Sequence, residues 1–248
     1  TAANLALALA REGARVGILD ADIYGPSQGI MFGIAEGTRP KVRDEKFFVP
    51  LEAHGVQVMS MAFLTDENTP VVWRGPMVSG ALLQLVTQTA WGDLDYLLVD
   101  LPPGTGDVAI SLGQLLSKAR SVVITTPQSA AATVAERSGA IGLQTGQEIL
   151  GVIENLSYLP SDAGNQYIFG QGGGQAVADR LSTLSGQKVD LLAQLPISSE
   201  LREASDNGVP LVISSPENAI SQQILAIAKQ LASKPIGLRG KSLGLKPR

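Results

Sequence analysis

"YLLVDLPPGTGD", residues 96–107, is the stretch on which the reading of the fold turns. Residues 96–99 are an unbroken strand-forming run without polar alternation, as in a parallel strand buried on both faces. The run ends in Asp100, and Pro102, Pro103, Gly104, Thr105 and Gly106 follow almost at once. The prolines stiffen the turn. Gly104 and Gly106 let backbone N–H groups approach an anion closely. A carboxylate at a strand tip beside such a loop suits a magnesium ion and the terminal phosphate of a nucleotide.

Outward from this stretch, strands and helices alternate. Short apolar runs at 16–20, 56–61, 121–125, 149–153 and 190–194 read as further buried parallel strands. The first ten residues read as a helix, with Leu5 and Leu9 four apart and Gly13 where its C-terminus is expected. "GPMVSGALLQLVTQTAW" carries Pro76 near its start and Leu82, Leu83 and Val86 as an apolar face. Other helices are expected near 108–117, 129–146 and 174–184. The last is expected at 217–232, with Ser215 and Pro216 as its cap and first turn and Ile220, Ile224, Ile227 and Leu231 as its stripe. This alternation predicts an α/β fold, a doubly wound and mostly parallel sheet with helices on both faces, over residues 1–233. Residues 37–50 read as an excursion or small hairpin, and 157–173 as irregular and Gly-rich. The tail 234–248, with five basic residues and no acidic one, is expected to be mobile.

Composition narrows the function. The chain has 248 residues, 44% of them apolar, enough for a sizeable core. Aromatic residues are only 4%, which argues against a stacking platform for single-stranded nucleic acid. The formal net charge of -4 argues against a broad nucleic-acid surface. No run of eighteen apolar residues marks a membrane span. There is no cysteine, so disulfides are excluded, which fits the cytoplasm. The chain opens within a helix and without Met, and a strand and a loop are expected to precede it.

In doubly wound folds ligands sit beyond the carboxyl ends of the strands. Three such ends are informative. In "GILDADIYGPS", Asp20 and Asp22 straddle a strand tip, and alternate residues of an extended chain share a face. Asp100 precedes the Gly-Thr-Gly turn. Asn155, in "GVIENLSY", follows another strand, and its amide can pair with an adenine edge as both donor and acceptor. An Asp at a strand end also serves as an ordinary turn or cap residue. The company of these residues on successive strand tips is stronger evidence than any one of them.

"GILDADIYGPS", "VVWRGPM", "DYLLVDLPPGTGD", "VITTPQ", "GVIENLS", "FGQGGG" and "LPISSELREASDNGVP" occur in this order. Together they closely resemble the Mrp (ApbC-type) ATPases, a branch of the MinD-like P-loop NTPases. The resemblance implies that the first helix follows a phosphate loop ending in Gly-Lys-Ser/Thr. Thr1 would then lie just after the loop and take part in cofactor binding. The loop and the first strand would be missing, and the 248 residues alone would be inactive. It also implies roles for the strand-tip residues. Asp22 resembles the switch-I aspartate that orients the attacking water. Asp20 would support Mg²⁺ or its water shell, and Asp100 resembles the Walker B aspartate. Gly104, Thr105 and Gly106 resemble the switch-II turn. Asn155 and the Pro196 loop would hold adenine.

The resemblance further implies Mg-dependent ATP hydrolysis by a cytoplasmic homodimer, coupled to carriage of an iron–sulfur cluster to acceptor or assembly proteins. Many members hold that cluster with Cys-X-X-Cys after the "ENLS" motif. This chain reads "ENLSYLPSDAGNQYIFGQGGG" there, without the thiolates such a cluster needs. Its one histidine, His54, reads as a solvated loop residue. Arg74 could serve a dimer interface, a nucleotide or a surface contact. Gly172, Gly173 and Gly174 could bind an anion at a helix start or provide a flexible approach to it. Two other functions are a non-catalytic adaptor for assembly partners and a MinD-like positioning ATPase. The tail "GLRGKSLGLKPR" lacks the apolar face of a membrane-targeting helix.

Overall fold

The structure, a computed structural model, describes residues 1–64, 75–104 and 106–233. Arg74, Thr105 and the tail 234–248 lie outside the described residues. The chain forms two compact units, one of Thr1–Pro102 with the chain from Glu200 onward, the other of Pro103–Ser199.

In the first unit the apolar runs become strands at the expected places. The elements in chain order are α1 (Ala2–Arg11), β1 (Val16–Asp20), α2 (Gln28–Met31), β2 (Val42–Arg43), β3 (Phe47–Phe48), β4 (Leu51–Ala53), β5 (Val56–Ser60), α3 (Gly75–Thr87) and β6 (Tyr96–Asp100). A four-stranded sheet runs β4-β5-β1-β6. β1 pairs in parallel with β5 and β6, and β4 is antiparallel on the outer edge. β2 and β3 form the small hairpin expected within 37–50. β1 is buried along its whole length, as its unbroken apolar run requires.

α1 is buried from Ala3 to Leu9 and ends at Gly13, whose φ of 88° is the left-handed conformation that favours glycine. In α3 the buried face is Val78, Leu82, Leu85 and Val86. Leu83 was expected there but is 46% exposed. Residues Val78, Leu82 and Leu85 follow the i, i+4, i+7 spacing of one helix face, and Leu83 falls outside it.

In the second unit α4 (Asp107–Leu115), β7 (Arg120–Thr125), α5 (Ser129–Gln144), β8 (Glu148–Glu154), α6 (Gly173–Ser185) and β9 (Leu191–Gln194) follow in order. The three strands form a parallel sheet, β7-β8-β9. Its core packs Val123, Ile149 and Val152 of the sheet against Ala132 and Ala135 of α5 and Val177, Ala178 and Leu181 of α6.

The chain then returns to the first unit with α7 (Ser199–Asp206), α8 (Leu211–Ser214) and α9 (Ala219–Ser233). α1 is tied to α8 by two long-range bonds. Arg11 Nη1 donates to Val212 O at 2.7 Å, and Val212 N donates to Asn4 Oδ1 at 3.0 Å. α9 carries the expected stripe of Ile220, Ile224, Ile227 and Leu231. Its cap differs from the expectation. Asn218 Oδ1, not Ser215 or Pro216, accepts the free N–H of Ile220 at 2.9 Å, as an N-cap side chain does.

Among the described residues the strands form a four-stranded sheet in the first unit, a three-stranded parallel sheet in the second and the β2–β3 hairpin, mostly parallel as expected. An apolar run marks a strand but does not name its neighbour, because parallel pairing is made by residues far apart in sequence.

Candidate functional site

The register of the first sheet sets Ser60, Asp20 and Asp100 in a row at the carboxyl ends of β5, β1 and β6. Neighbouring strands are about 4.8 Å apart, so the two aspartates are side by side. The ladder continues one step further, with Ala21 N donating to Asp100 O at 2.9 Å. Two negative groups are thus fixed at adjacent strand tips by the register alone.

Asp20 is fully buried. Its Oδ1 accepts from Asp22 N at 3.1 Å. Its Oδ2 accepts from Ser27 N at 2.8 Å and Gln28 N at 2.9 Å. The carboxylate therefore gathers the 21–28 loop and the start of α2 around itself. Burial pushes its pKa up. The three backbone N–H bonds oppose that shift, and the charge of Asp100 adds to it. Asp22 is half-buried, and its Oδ1 accepts from Tyr24 N at 3.1 Å and Gly25 N at 3.0 Å, an Asx-type turn.

Asp100 is half-buried and has fewer donors than Asp20 among the described residues. Gln28 Nε2 donates to its Oδ2 at 2.6 Å. Burial pushes this carboxyl up too, with the Gln28 bond opposing and Asp22 adding. Thr1 precedes α1, and its carbonyl accepts from Leu5 N at 2.9 Å.

The first unit thus brings together Asp20, Asp22, Asp100 and Thr1. It also adds Gln28, which the sequence reading missed. Nothing in the spacing of "YGPSQG" marks it, because its role depends on a fold that places it against a residue 72 positions away. Among the described residues no group of three or more His, Cys, Asp or Glu side chains is placed to hold a metal ion. An open pair of carboxylates is instead the arrangement that Mg²⁺ uses when most of its shell is water and phosphate.

The second unit holds the other expected residues. Gly104 has φ 97°, and its carbonyl accepts from Ser138 Oγ of α5 at 2.9 Å. Gly106 caps α4 in an extended conformation. Asn155 and Pro196 lie in two loops laced together. Leu195 N donates to Glu154 O at 2.8 Å, Ser157 N to Leu195 O at 2.9 Å and Ile197 N to Tyr158 O at 2.7 Å. Asn155 Oδ1 is buried without a hydrogen-bond partner among the described residues. Buried polar atoms are normally paired, so an orphaned acceptor there fits a ligand that donates to it.

The fate of the triple glycine differs from one expected reading. Gly174 N donates at 2.6 Å to Oε2 of Glu154, a carboxylate inside the protein. Ser157 Oγ and Gln194 Nε2 (2.8 Å) bond its other oxygen. That N–H of the α6 terminus therefore already serves an internal anion. A Cβ on Gly173 would stand 2.5 Å from Pro127 O, and one on Gly174 2.7 Å from Glu154 Cβ, so both positions need glycine for close approach. His54 is exposed, as expected of a loop residue, and its Nε2 lies 3.0 Å from Gly208 O.

A family model described as the ParA-type NUBPL iron-transfer P-loop NTPase matches residues 1–232. The chain belongs to this family. An iron–sulfur cluster carrier protein of Pseudomonas fragi is 61% identical over 223 residues, covering 89% of this chain and 76% of that protein. One of Mycobacterium tuberculosis is 52% identical over 245 residues, covering 98% of this chain and 64% of that protein. The chain thus spans less than two thirds of this mycobacterial relative. Among solved structures, a nucleotide-binding protein from Archaeoglobus fulgidus in complex with ADP is 33% identical, with a TM-score of 0.70 over 88% of this chain and 82% of that one. The septum site-determining protein MinD of Pyrococcus horikoshii with Mg-ADP has a TM-score of 0.63 at 22% identity, over 94% of this chain and 89% of that one. The second likeness concerns the fold alone. This NUBPL-family chain therefore has the α/β architecture of MinD and ParA ATPases, with mostly parallel sheets and flanking helices. Among the described residues no helix is long and apolar enough to cross a membrane.

Proposed function

We propose that the whole protein containing this chain is a Mg-dependent ATPase that uses its nucleotide cycle in iron–sulfur cluster carriage. The observation that carries this reading is the Asp20–Asp100 pair, two strand-tip carboxylates in register, with Asp22 two residues along the same loop. In this reading Asp20 and Asp100 hold Mg²⁺, partly through water, with Thr1 nearby. The ion would neutralise charge on the phosphates. Asp22 orients the attacking water. Its Oδ1 is held by two backbone N–H groups, so the side chain has a fixed direction. By the resemblance, Gly104, Thr105 and Gly106 would respond to the terminal phosphate. Asn155 receives the adenine amino group on its unpaired Oδ1, and the laced Pro196 loop closes against the base.

The relatives named as cluster carriers support the second half of the proposal. The 248 residues contain no cysteine, so a thiolate-held cluster would take its ligands from elsewhere in the assembly. A cytoplasmic homodimer that docks on acceptor proteins fits this scheme. The experiment is Mg-dependent ATP turnover by the whole protein and its Asp22→Ala variant. Turnover should be lost in the variant while ATP binding remains. A parental rate in the variant would remove Asp22 from the mechanism. No turnover in either protein would favour an adaptor that binds assembly partners without catalysis.

A further inference from the structure

Among the described residues Gln28 links the two strand-tip carboxylates. Its backbone N–H donates to Asp20 Oδ2 at 2.9 Å, and its Nε2 donates to Asp100 Oδ2 at 2.6 Å. It is only 2% exposed. Its remaining polar atom, Oε1, is buried with no hydrogen-bond partner among the described residues. The amide cannot be turned over to relieve this, because Oε1 would then face a carboxylate oxygen, acceptor against acceptor. Oε1 and Nε2 share one planar amide, so anchoring Nε2 on Asp100 keeps Oε1 beside the same carboxylate. The fold therefore keeps an acceptor with no partner among the described residues within one amide group of the Asp100 carboxylate.

We propose that Gln28 is a positioning residue for a hydrated divalent cation at the tips of β1 and β6, accepting a hydrogen bond on Oε1 from a cation-bound water. This rests on reading the site as one for a magnesium nucleotide. Mg²⁺ gives up its waters reluctantly and is held through several of them. Each such water is a strong donor and needs an acceptor. Without the cation, Nε2 partly offsets the negative charge of Asp100. With it, Oε1 gains the partner that it lacks. Gln28 also begins α2, directly after the loop that carries Asp22, so the same residue ties cation occupancy to the placement of that loop.

The test uses the whole protein with ADP and Mn²⁺ as the probe, reading free Mn²⁺ by electron paramagnetic resonance. Gln28→Met keeps the length of the side chain and removes both polar atoms. It should weaken Mn²⁺ binding about tenfold, the effect of one lost hydrogen bond in a charged setting. Gln28→Glu keeps an acceptor at Oε1 and sets a third negative group beside Asp100, a repulsion that a cation relieves. It should bind Mn²⁺ at least as tightly as the parent. A packing role would lower the melting temperature of both variants and leave both Mn²⁺ affinities alone. That result, or weakening by both substitutions, overturns the proposal. Should Gln28→Met fail to fold, Gln28→Asn takes its place. Its shortened amide reaches neither partner, and unchanged affinity in it refutes the role equally. If the unsubstituted protein binds no Mn²⁺ with ADP and hydrolyses no ATP, the nucleotide reading of the site fails and this proposal falls with it. Parental binding with unaffected variants overturns the Gln28 role alone.

Discussion

Asp20 and Asp100 are adjacent carboxylates, yet replacing each by asparagine should move stability in opposite directions at pH 7. Asp20 uses both oxygens, Oδ1 for one backbone N–H and Oδ2 for two. Asparagine has one oxygen. Its best orientation keeps Ser27 N and Gln28 N and turns the NH₂ group toward Asp22 N, donor against donor. An orphaned buried donor costs about 1–3 kcal/mol. Removing a buried charge offsets part of this, leaving a net loss of about 1–2 kcal/mol. In a chain of this size the melting temperature should fall by about 2–8 °C. At Asp100, by contrast, asparagine can still accept from Gln28 Nε2, and the charge whose burial is penalised disappears. Asp100→Asn should raise the melting temperature.

The pH dependence follows from the direction of the shifts. Both carboxyls sit above their ordinary values in the folded protein. Unfolded aspartates titrate near 3.9. The folded state thus binds more protons than the unfolded state between that pH and the raised values, and its stability falls as pH rises through that window. The stabilisation is fully present below about pH 4. The advantage of Asp100→Asn should therefore vanish near pH 4 and grow toward neutrality. The assay is thermal melting from pH 4 to 8 without divalent cations, followed by the fluorescence of buried Trp91. An Asp20→Asn variant as stable as the parent would refute the reasoning. So would an Asp100→Asn variant that melts lower at pH 7.

Two further substitutions test packing elsewhere, one in each unit. Gly208 has φ 68°, and a Cβ there would stand 2.3 Å from Gly33 Cα and 2.7 Å from Gly33 N, so Gly208→Ala should cost more than about 2 kcal/mol. A denaturant midpoint equal to the parent's would show that the two backbones can separate at no cost. Glu154→Ala should cost at least about 1–3 kcal/mol, because it leaves the buried N–H of Gly174 without its acceptor. Amide exchange at Gly174 should accelerate in this variant, and unchanged protection there would count against the assignment.

The six long strands were legible because each is a short apolar run without polar alternation, although only β1, β5 and β8 are largely buried, while β6 and β9 are half-buried or more open and β7 exposes Ile124. Three kinds of feature were not. α7 was missed because "SELREASD" is polar nearly all round and buries only Ala204, so it has no apolar stripe to read. The cap of α9 was misplaced because Ser215, Pro216 and Asn218 are all good starting residues, and the geometry of the chain chooses Asn218. The order of strands within each sheet reflects pairing between distant segments, which no local pattern records. The site divides in the same way. Asp20, Asp22, Asp100 and Asn155 stand out as polar residues at or just beyond the ends of apolar runs. Gln28 and Ser138 act through contacts 72 and 34 residues away and carry no local mark. Glu154 had a signal that was passed over, a charged residue closing a buried run directly before Asn155.

Glu154 also shows what sets the Asp20–Asp100 pair apart. It too is a buried carboxylate at the end of a parallel strand. Three donors meet it, and among the described residues neither of its oxygens is left orphaned. Such a group is complete, and its work is to fix the start of α6 against β8. Asp20 is nearly as well served, by three backbone donors. Asp100 is not. Among the described residues its carboxylate receives one side-chain donor and faces other carboxylates, and the residue that supplies the donor has a buried acceptor with no partner among them. A folding requirement alone would favour removing that charge, as the rise expected for Asp100→Asn states. The same three features, excess negative charge, an open acceptor and a rigid row of strand tips, are what a hydrated cation would satisfy at once. The shortfall at Asp100 is therefore the physical reason to look for ligand chemistry at this pair of strand tips and not at the end of β8.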